Sequence, residues 1–211
     1  MPPLTVVLLA VLGAAWGFVA DRIGARWPRH DDGHVRSIDW RTVVVTVSGA
    51  IALGAVPARF TDPAHVALFG AWAVALVLLL ATDLDQRLLP DVITLPMIPV
   101  TLVIALLGAN PLVAPGDLPW AIAASIAVPG VLGLLAIPFG AGAIGMGDLK
   151  LLVSVGLLGG ALRLVTGVVW GALLGGVVIL ALLVTRRITL KSYVPFGPFL
   201  IYGALAAILA R

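Results

Sequence analysis

Two short polar stretches interrupt an otherwise apolar chain. One is Thr82-Asp83-Leu84-Asp85-Gln86-Arg87-Leu88-Leu89-Pro90-Asp91; the other is Gly145-Met146-Gly147-Asp148-Leu149-Lys150. Each sets a carboxylate where a long apolar run ends or begins. Carboxylates within a membrane are costly, and they usually line a functional cavity. Two of them brought together cannot easily both ionise. They share a proton, so one acts as base on water while the other donates to a scissile carbonyl. That division of labour needs no metal, thiol or imidazole. A carboxylate from each stretch, Asp83 and Asp148 among them, could form such a pair, which would titrate as a unit.

The plainer alternative is capping. Asp83, Asp85 and Asp91 could each close a helix end, and Asp91, following Pro90 at the start of an apolar run, is a good N-cap. Asp148 is more suggestive. Gly145 and Gly147 before it permit close backbone approach, and it opens a helix whose N-terminal dipole favours negative charge. An ion-coupling site in a transporter or channel would use the same features.

The elements that must position these residues are membrane helices. The chain is 61% hydrophobic and 11% charged, with mean hydropathy +1.15, against roughly half and about a quarter for soluble domains. A helical span needs about 20 apolar residues. Such runs fall at 4–20, 42–58, 65–82, 92–108, 120–139, 148–162, 164–184 and 194–210. The first has no basic residue before it, unlike a signal peptide, and is expected to be a retained span. The fifth is expected to be interrupted by Pro129-Gly130 and loosened near Pro138. The 148–162 run reaches only about 22 Å, short of the ~30 Å hydrocarbon core, and should be shielded inside the bundle. Between the runs lie a polar segment at 21–41, a tight turn at 59–64, a turn-rich loop at 109–119 and a Gly-rich connector at 140–147. The fold class expected is all-α: a polytopic transmembrane bundle of about eight spans.

Eight spans place Arg22, Arg26, Arg29, Arg36, Arg41, Arg87, Lys150, Arg186, Arg187 and Lys191 on one side, and Arg59, Arg163 and Arg211 on the other. Basic residues mark the cytoplasmic side, so both termini are expected on the non-cytoplasmic side. The same assignment brings the Asp83 and Asp148 stretches to the cytoplasmic face. Basic residues sit in loops with no stripe of interleaved aromatics, which argues against nucleic acid. The absence of cysteine excludes disulfides and Cys-ligated zinc. His30 and His34 share a polar loop and His65 starts an apolar run; solvated loop histidines explain them better than a metal site, so no metal is expected.

Asp83 with Leu88-Leu89-Pro90-Asp91, then Gly145-Met146-Gly147-Asp148 with Leu149-Lys150, then Pro195-Phe196-Gly197-Pro198-Phe199, resemble the bacterial prepilin peptidases (type IV leader peptidases), within the wider group of Gly-x-Gly-Asp membrane aspartyl proteases. The resemblance runs from about Ala67 to the C-terminus. It implies Asp83 and Asp148 as the catalytic pair, Asp83 rather than Asp85 because it lies seven residues before Pro90. Gly145, Gly147, Lys150, Pro90 and Asp91 would be supporting motif residues. It further implies cleavage after a glycine of the basic leader of type IV prepilins and pseudopilins, in the bacterial inner (cytoplasmic) membrane. No cofactor is implied for proteolysis, and S-adenosylmethionine only if the N-methylation of longer members is retained. Gly17-Phe18-Val19-Ala20-Asp21 with Arg26-Trp27-Pro28 resembles the Gly-Ser-Phe-Leu-Asn…Arg-Leu-Pro signature of those members, with Asp21 in place of Asn and Phe18 in place of Ser. Their zinc domain with paired Cys-x-x-Cys motifs is absent, and 21–41 stands there as a short cytoplasmic loop. The chain is thus expected to be a single membrane-embedded peptidase domain over 1–211.

Other features have simpler readings. Gly156, Gly159-Gly160, Gly171 and Gly175-Gly176 suit close helix packing. Trp16, Trp27, Trp40 and Trp120 fall at interface positions as anchors. Lys150 could steady Asp148 or a substrate carboxylate, or serve as a positive-inside anchor. Pro195-Phe196-Gly197-Pro198 suits either a re-entrant bend or a helix start.

Overall fold

The computed structural model describes residues 3–28, 35–139, 144–189 and 194–210, with no strand among them. Among the described residues seven α-helices follow in order: α1 Pro3–Gly24, α2 Trp40–Arg59, α3 Pro63–Gln86, α4 Asp91–Leu106, α5 Leu118–Ala136, α6 Met146–Val184 and α7 Gly197–Leu209. Short 3-10 turns occupy Pro115–Asp117 and Ile137–Phe139. Among the described residues five helical segments are long and apolar enough to cross a membrane: α1, α2, α3, α5 with the turn before it, and α6. Helices α4 and α7 are apolar but shorter.

The sixth and seventh apolar runs both lie in α6. Its 39 residues would extend nearly twice the ~30 Å hydrocarbon thickness if straight. The helix is broken at Gly160, where φ is 79° and ψ 173°, a conformation essentially confined to glycine. The charged Arg163 suggests a boundary three residues later, but a side chain with a long stem can leave an apolar surface without breaking a helix. The backbone breaks where no Cβ opposes it.

Helix ends follow local chemistry. The Asp39 carboxylate accepts from the Arg41 amide at 2.9 Å, and Thr42 Oγ1 accepts from the Asp39 amide at 3.3 Å, a reciprocal cap that starts α2. Asp62 accepts from the Ala64 and His65 amides at 2.9 and 3.1 Å, with Pro63 at the first helical position, so α3 starts ahead of its apolar run. It also outlasts that run. Arg87 adopts the left-handed conformation (φ 57°, ψ 41°) and donates its amide to the Asp83 carbonyl at 2.9 Å, closing the helix after Gln86. Asp83 and Asp85 therefore sit within the last turn of α3 and not in a loop beyond it. Asp91 is the first residue of α4, one position inside the expected cap. Pro129-Gly130 does not interrupt α5, which continues to Ala136; Pro138 lies in the 3-10 turn that follows.

The chain divides into two compact units, 1–93 with 209–211, and 94–208. In the first, α1 packs on α2 and α3, and α2 on α3. The α1–α2 contact is backbone to backbone: a Cβ at Gly13 would run into the Gly49 carbonyl, and one at Gly17 would lie 2.5 Å from the Val45 carbonyl oxygen. Trp16, expected as an interface anchor, donates its indole N–H to the Val74 carbonyl of α3 at 3.0 Å. In the second unit α5 packs on α6, with Gly156 against Ser125. Gly167 and Gly171 of α6 meet Gly203 and Phe199 of α7. The Asn110 amide donates to the Leu158 carbonyl at 2.6 Å, satisfying an acceptor beside the Gly160 break.

Candidate active site

Asp83 is 4% exposed and Asp148 7%, low values for residues almost never fully buried without a reason. Asp83 stands one turn before the end of α3, with buried Thr82 before it and Leu89-Pro90 tucked in after it. Thr82 donates its hydroxyl back to the Leu79 carbonyl at 3.0 Å, so it does not compete for the Asp83 carboxylate. Asp91 is exposed and places its charge in the first turn of α4, where the helix dipole favours it.

Asp148 is the third residue of α6, and its Oδ2 accepts from the Gly145 amide at 3.2 Å. The bond satisfies an amide that helix geometry leaves without an intrahelical partner. A Cβ at Gly145 would lie 3.2 Å from the same Oδ2, which explains a small residue at that position. Asp148 thus does cap its helix, and one oxygen is engaged in doing so. Gly147 and Lys150 lie beside it in the opening turns of α6, both half-buried. Among the described residues, Asp83, Asp85, Pro90 and Asp91 cluster in the first unit, and Gly145, Gly147, Asp148 and Lys150 in the second.

Pro195-Phe196-Gly197-Pro198 resolves to a helix start. The amides of Phe199 and Leu200 donate to the Phe196 carbonyl at 3.1 and 3.2 Å, and α7 begins at Gly197. His30, His34, Arg29 and Lys191 lie outside the described residues. Among the described residues no group of three or more His, Cys, Asp or Glu could hold a metal ion.

The sequence did not disclose what holds Asp85. Arg36 donates through Nε to Asp85, through Nη1 to Asp39 and through Nη2 to Asp21. Arg41 adds a bond to Asp85 Oδ1 at 3.1 Å. Asp21, wholly buried, also receives Arg22 and the Thr42 hydroxyl, the latter at 2.8 Å. Burial pulls the Arg36 guanidinium down, but the bonds and attraction of Asp21 and Asp85 outweigh it and leave it above its ordinary value. The signal available in the sequence was the density of Arg in 21–41 and an Asp at position 21 where the resemblance expects Asn. Partners up to 49 residues apart carry no shared pattern.

A helical, multi-pass membrane protein with a buried aspartate at the end of one helix and another at the start of a second is the class these observations define. Comparison with known proteins gives the family. The type IV leader peptidase family matches residues 67–180, more than half of the chain, and the chain belongs to it. Similar proteins include the prepilin leader peptidase/N-methyltransferase of Burkholderia pseudomallei strains 1026b and K96243, each 32% identical over 186 residues, which is 88% of this chain and 55% of theirs. The protein of the same name from Pseudomonas putida is 33% identical over 151 residues, 67% of this chain and 52% of its own. The chain therefore spans about half the length of the curated relatives it matches. No solved structure matches.

Proposed function

We propose that the chain is an aspartic endopeptidase that removes the basic leader from type IV prepilins or pseudopilins, with Asp83 and Asp148 as its catalytic pair. The observation that carries this reading is that the family match, 67–180, includes both carboxylates, and each is buried at a helix end. One carboxylate takes a proton from water as the water attacks the scissile carbonyl. The other donates its proton to the carbonyl oxygen. The first then passes the proton it took from water to the leaving amine as the C–N bond breaks, the tetrahedral intermediate's hydroxyl proton returning to the second. Gly145, Gly147 and the Pro90-Asp91 turn set the backbone around the pair, and Lys150 steadies negative charge beside Asp148.

The remaining parts of the proposal follow from charge and length. The chain acts as one membrane-embedded domain of eight spans in the bacterial inner membrane, with both termini outside and 21–41 in the cytoplasm, where the longer members are expected to hold zinc. A basic leader stays in the cytoplasm while the hydrophobic helix after it lies in the bilayer, so the bond between them falls at the cytoplasmic boundary. Proteolysis on this account uses the chain's own carboxylates.

The test is direct. Protein purified in detergent should cut a prepilin peptide after its leader glycine, and Asp148→Ala should abolish the cut. Equal cutting by wild type and Asp148→Ala would overturn the mechanism. A wild type that cuts no such peptide but conducts or couples ions would favour the transporter reading.

A further inference from the structure

We propose that Arg36 is a positioning residue for Asp83: by holding Asp85 it fixes the rotation of the last turn of α3. The proposal rests on the peptidase reading for its catalytic consequence and on geometry for everything else.

The three donor directions of the Arg36 guanidinium go to three carboxylates on three separate elements: Asp21 of α1, Asp39 at the cap of α2 and Asp85 of α3. The Arg36 side chain is 12% exposed, that of Asp85 2% and that of Asp21 0%. A planar fork with fixed donor directions constrains its partners in angle as well as distance. Arg41 supplies a second bond to Asp85, and the Gln86 amide donates to the Pro28 carbonyl at 2.6 Å. The end of α3 is therefore held from more than one direction.

Asp85 needs such a partner. It lies at the C-terminal end of α3, where the helix dipole disfavours a carboxylate, and the last turn of α3 holds no basic residue. The compensating charge comes from outside the helix. Asp85 follows Asp83 by two residues, about 200° around the helix axis. Clamping Asp85 on one side of α3 therefore sets where Asp83 stands on the other. Buried ion networks contribute little net stability compared with apolar residues of similar volume; their best-attested use is to fix one register among several. Arg36 has that role here for the turn that carries the reacting group.

Two measurements on the full chain test the proposal. In the first, prepilin-peptide cleavage is followed kinetically in detergent. Arg36→Met should lower kcat on the order of 10–100-fold, the cost of a small misplacement of a catalytic group, with KM little changed. Arg36→Lys should recover part of the rate, since an ammonium can serve one carboxylate but not the fork. Arg36→Met/Asp85→Asn should be no slower than Arg36→Met. Wild-type kcat in folded Arg36→Met, or a rise in KM at constant kcat, would overturn the assignment. In the second, the absence of cysteine allows two spin labels at engineered cysteines replacing the exposed Val43 of α2 and Leu88 beside the α3 cap. The label–label distance should be narrowly distributed with Arg36 present, broad in Arg36→Met and in Asp85→Asn, and narrowed again in Arg36→Lys. An unchanged distribution in either uncharged variant would overturn the clamp. If wild type fails to cleave, the peptidase reading falls, and the distance measurement still decides the positioning claim.

Discussion

The unit carrying Asp83 and the unit carrying Asp148 secure their helices differently at the places that matter. In 1–93 the end of α3 is held by charge: Arg36 and Arg41 grip Asp85, and Asp21 answers Arg36 from α1. In 94–208 the start and course of α6 are held by shape and by single polar bonds: Gly145 against Asp148, Gly156 against Ser125, Gly167 and Gly171 against Gly203, and Asn110 on the Leu158 carbonyl. An ion network fixes angle. A glycine seam fixes distance and tolerates sliding along the seam, and the Gly160 break lets the two arms of α6 take separate directions. The first unit uses a glycine seam as well, between α1 and α2, so its ion network is an addition to packing and not a substitute for it.

This contrast predicts which substitutions each unit will resist. Charge removal should injure the first unit most. Asp21→Ala leaves Arg36 and Arg22 short of a buried partner and should cost about 3–5 kcal/mol, read by denaturant or thermal unfolding in detergent; a loss below about 1 kcal/mol, as for exposed pairs, would show that the network is solvated. Added volume should injure the second unit next. Gly203→Ala drives a methyl against the Gly167 carbonyl and within 2.7 Å of the Gly171 amide nitrogen, and should cost about 1–3 kcal/mol by the same measurement. The smallest effect has the opposite sign. A Cβ at Gly130 meets no neighbour, so Gly130→Ala within α5 should stabilise by roughly 0.5–1 kcal/mol. Destabilisation by Gly130→Ala would mean that this face of α5 has a close neighbour.

The sequence made the helices legible because apolar runs of membrane length have few other readings. Asp62-Pro63, expected within a tight turn, starts α3 two residues ahead of its apolar run, and the two aspartates stood out because each lies where a long apolar run ends or begins. Helix ends were harder. Hydropathy ends the third run at Thr82, yet a last turn needs only a cap, and Arg87 supplies it beyond Asp83 and Asp85. Hydropathy also notices Arg163 and overlooks Gly160, although a glycine is what a broken helix needs. Pro129 looked like an interruption, but α5 runs through it. Trp16 donates its indole N–H to the Val74 carbonyl of α3, a contact that no sequence pattern announces. The Arg36 network was illegible for a different reason: its members come from three elements, and only the folded chain brings them together.

The central claim is that Asp83 and Asp148 act as one catalytic unit on one water. Cleavage of a prepilin peptide by wild type, Asp83→Ala, Asp148→Ala and the double variant tests it most directly. Groups that act as a unit are strongly non-additive. Each single variant should therefore lose on the order of 10³-fold or more in kcat, and the double variant should lose no more than the worse single. A single variant that cleaves at the wild-type rate, or losses that multiply in the double variant, would contradict the paired-carboxylate account.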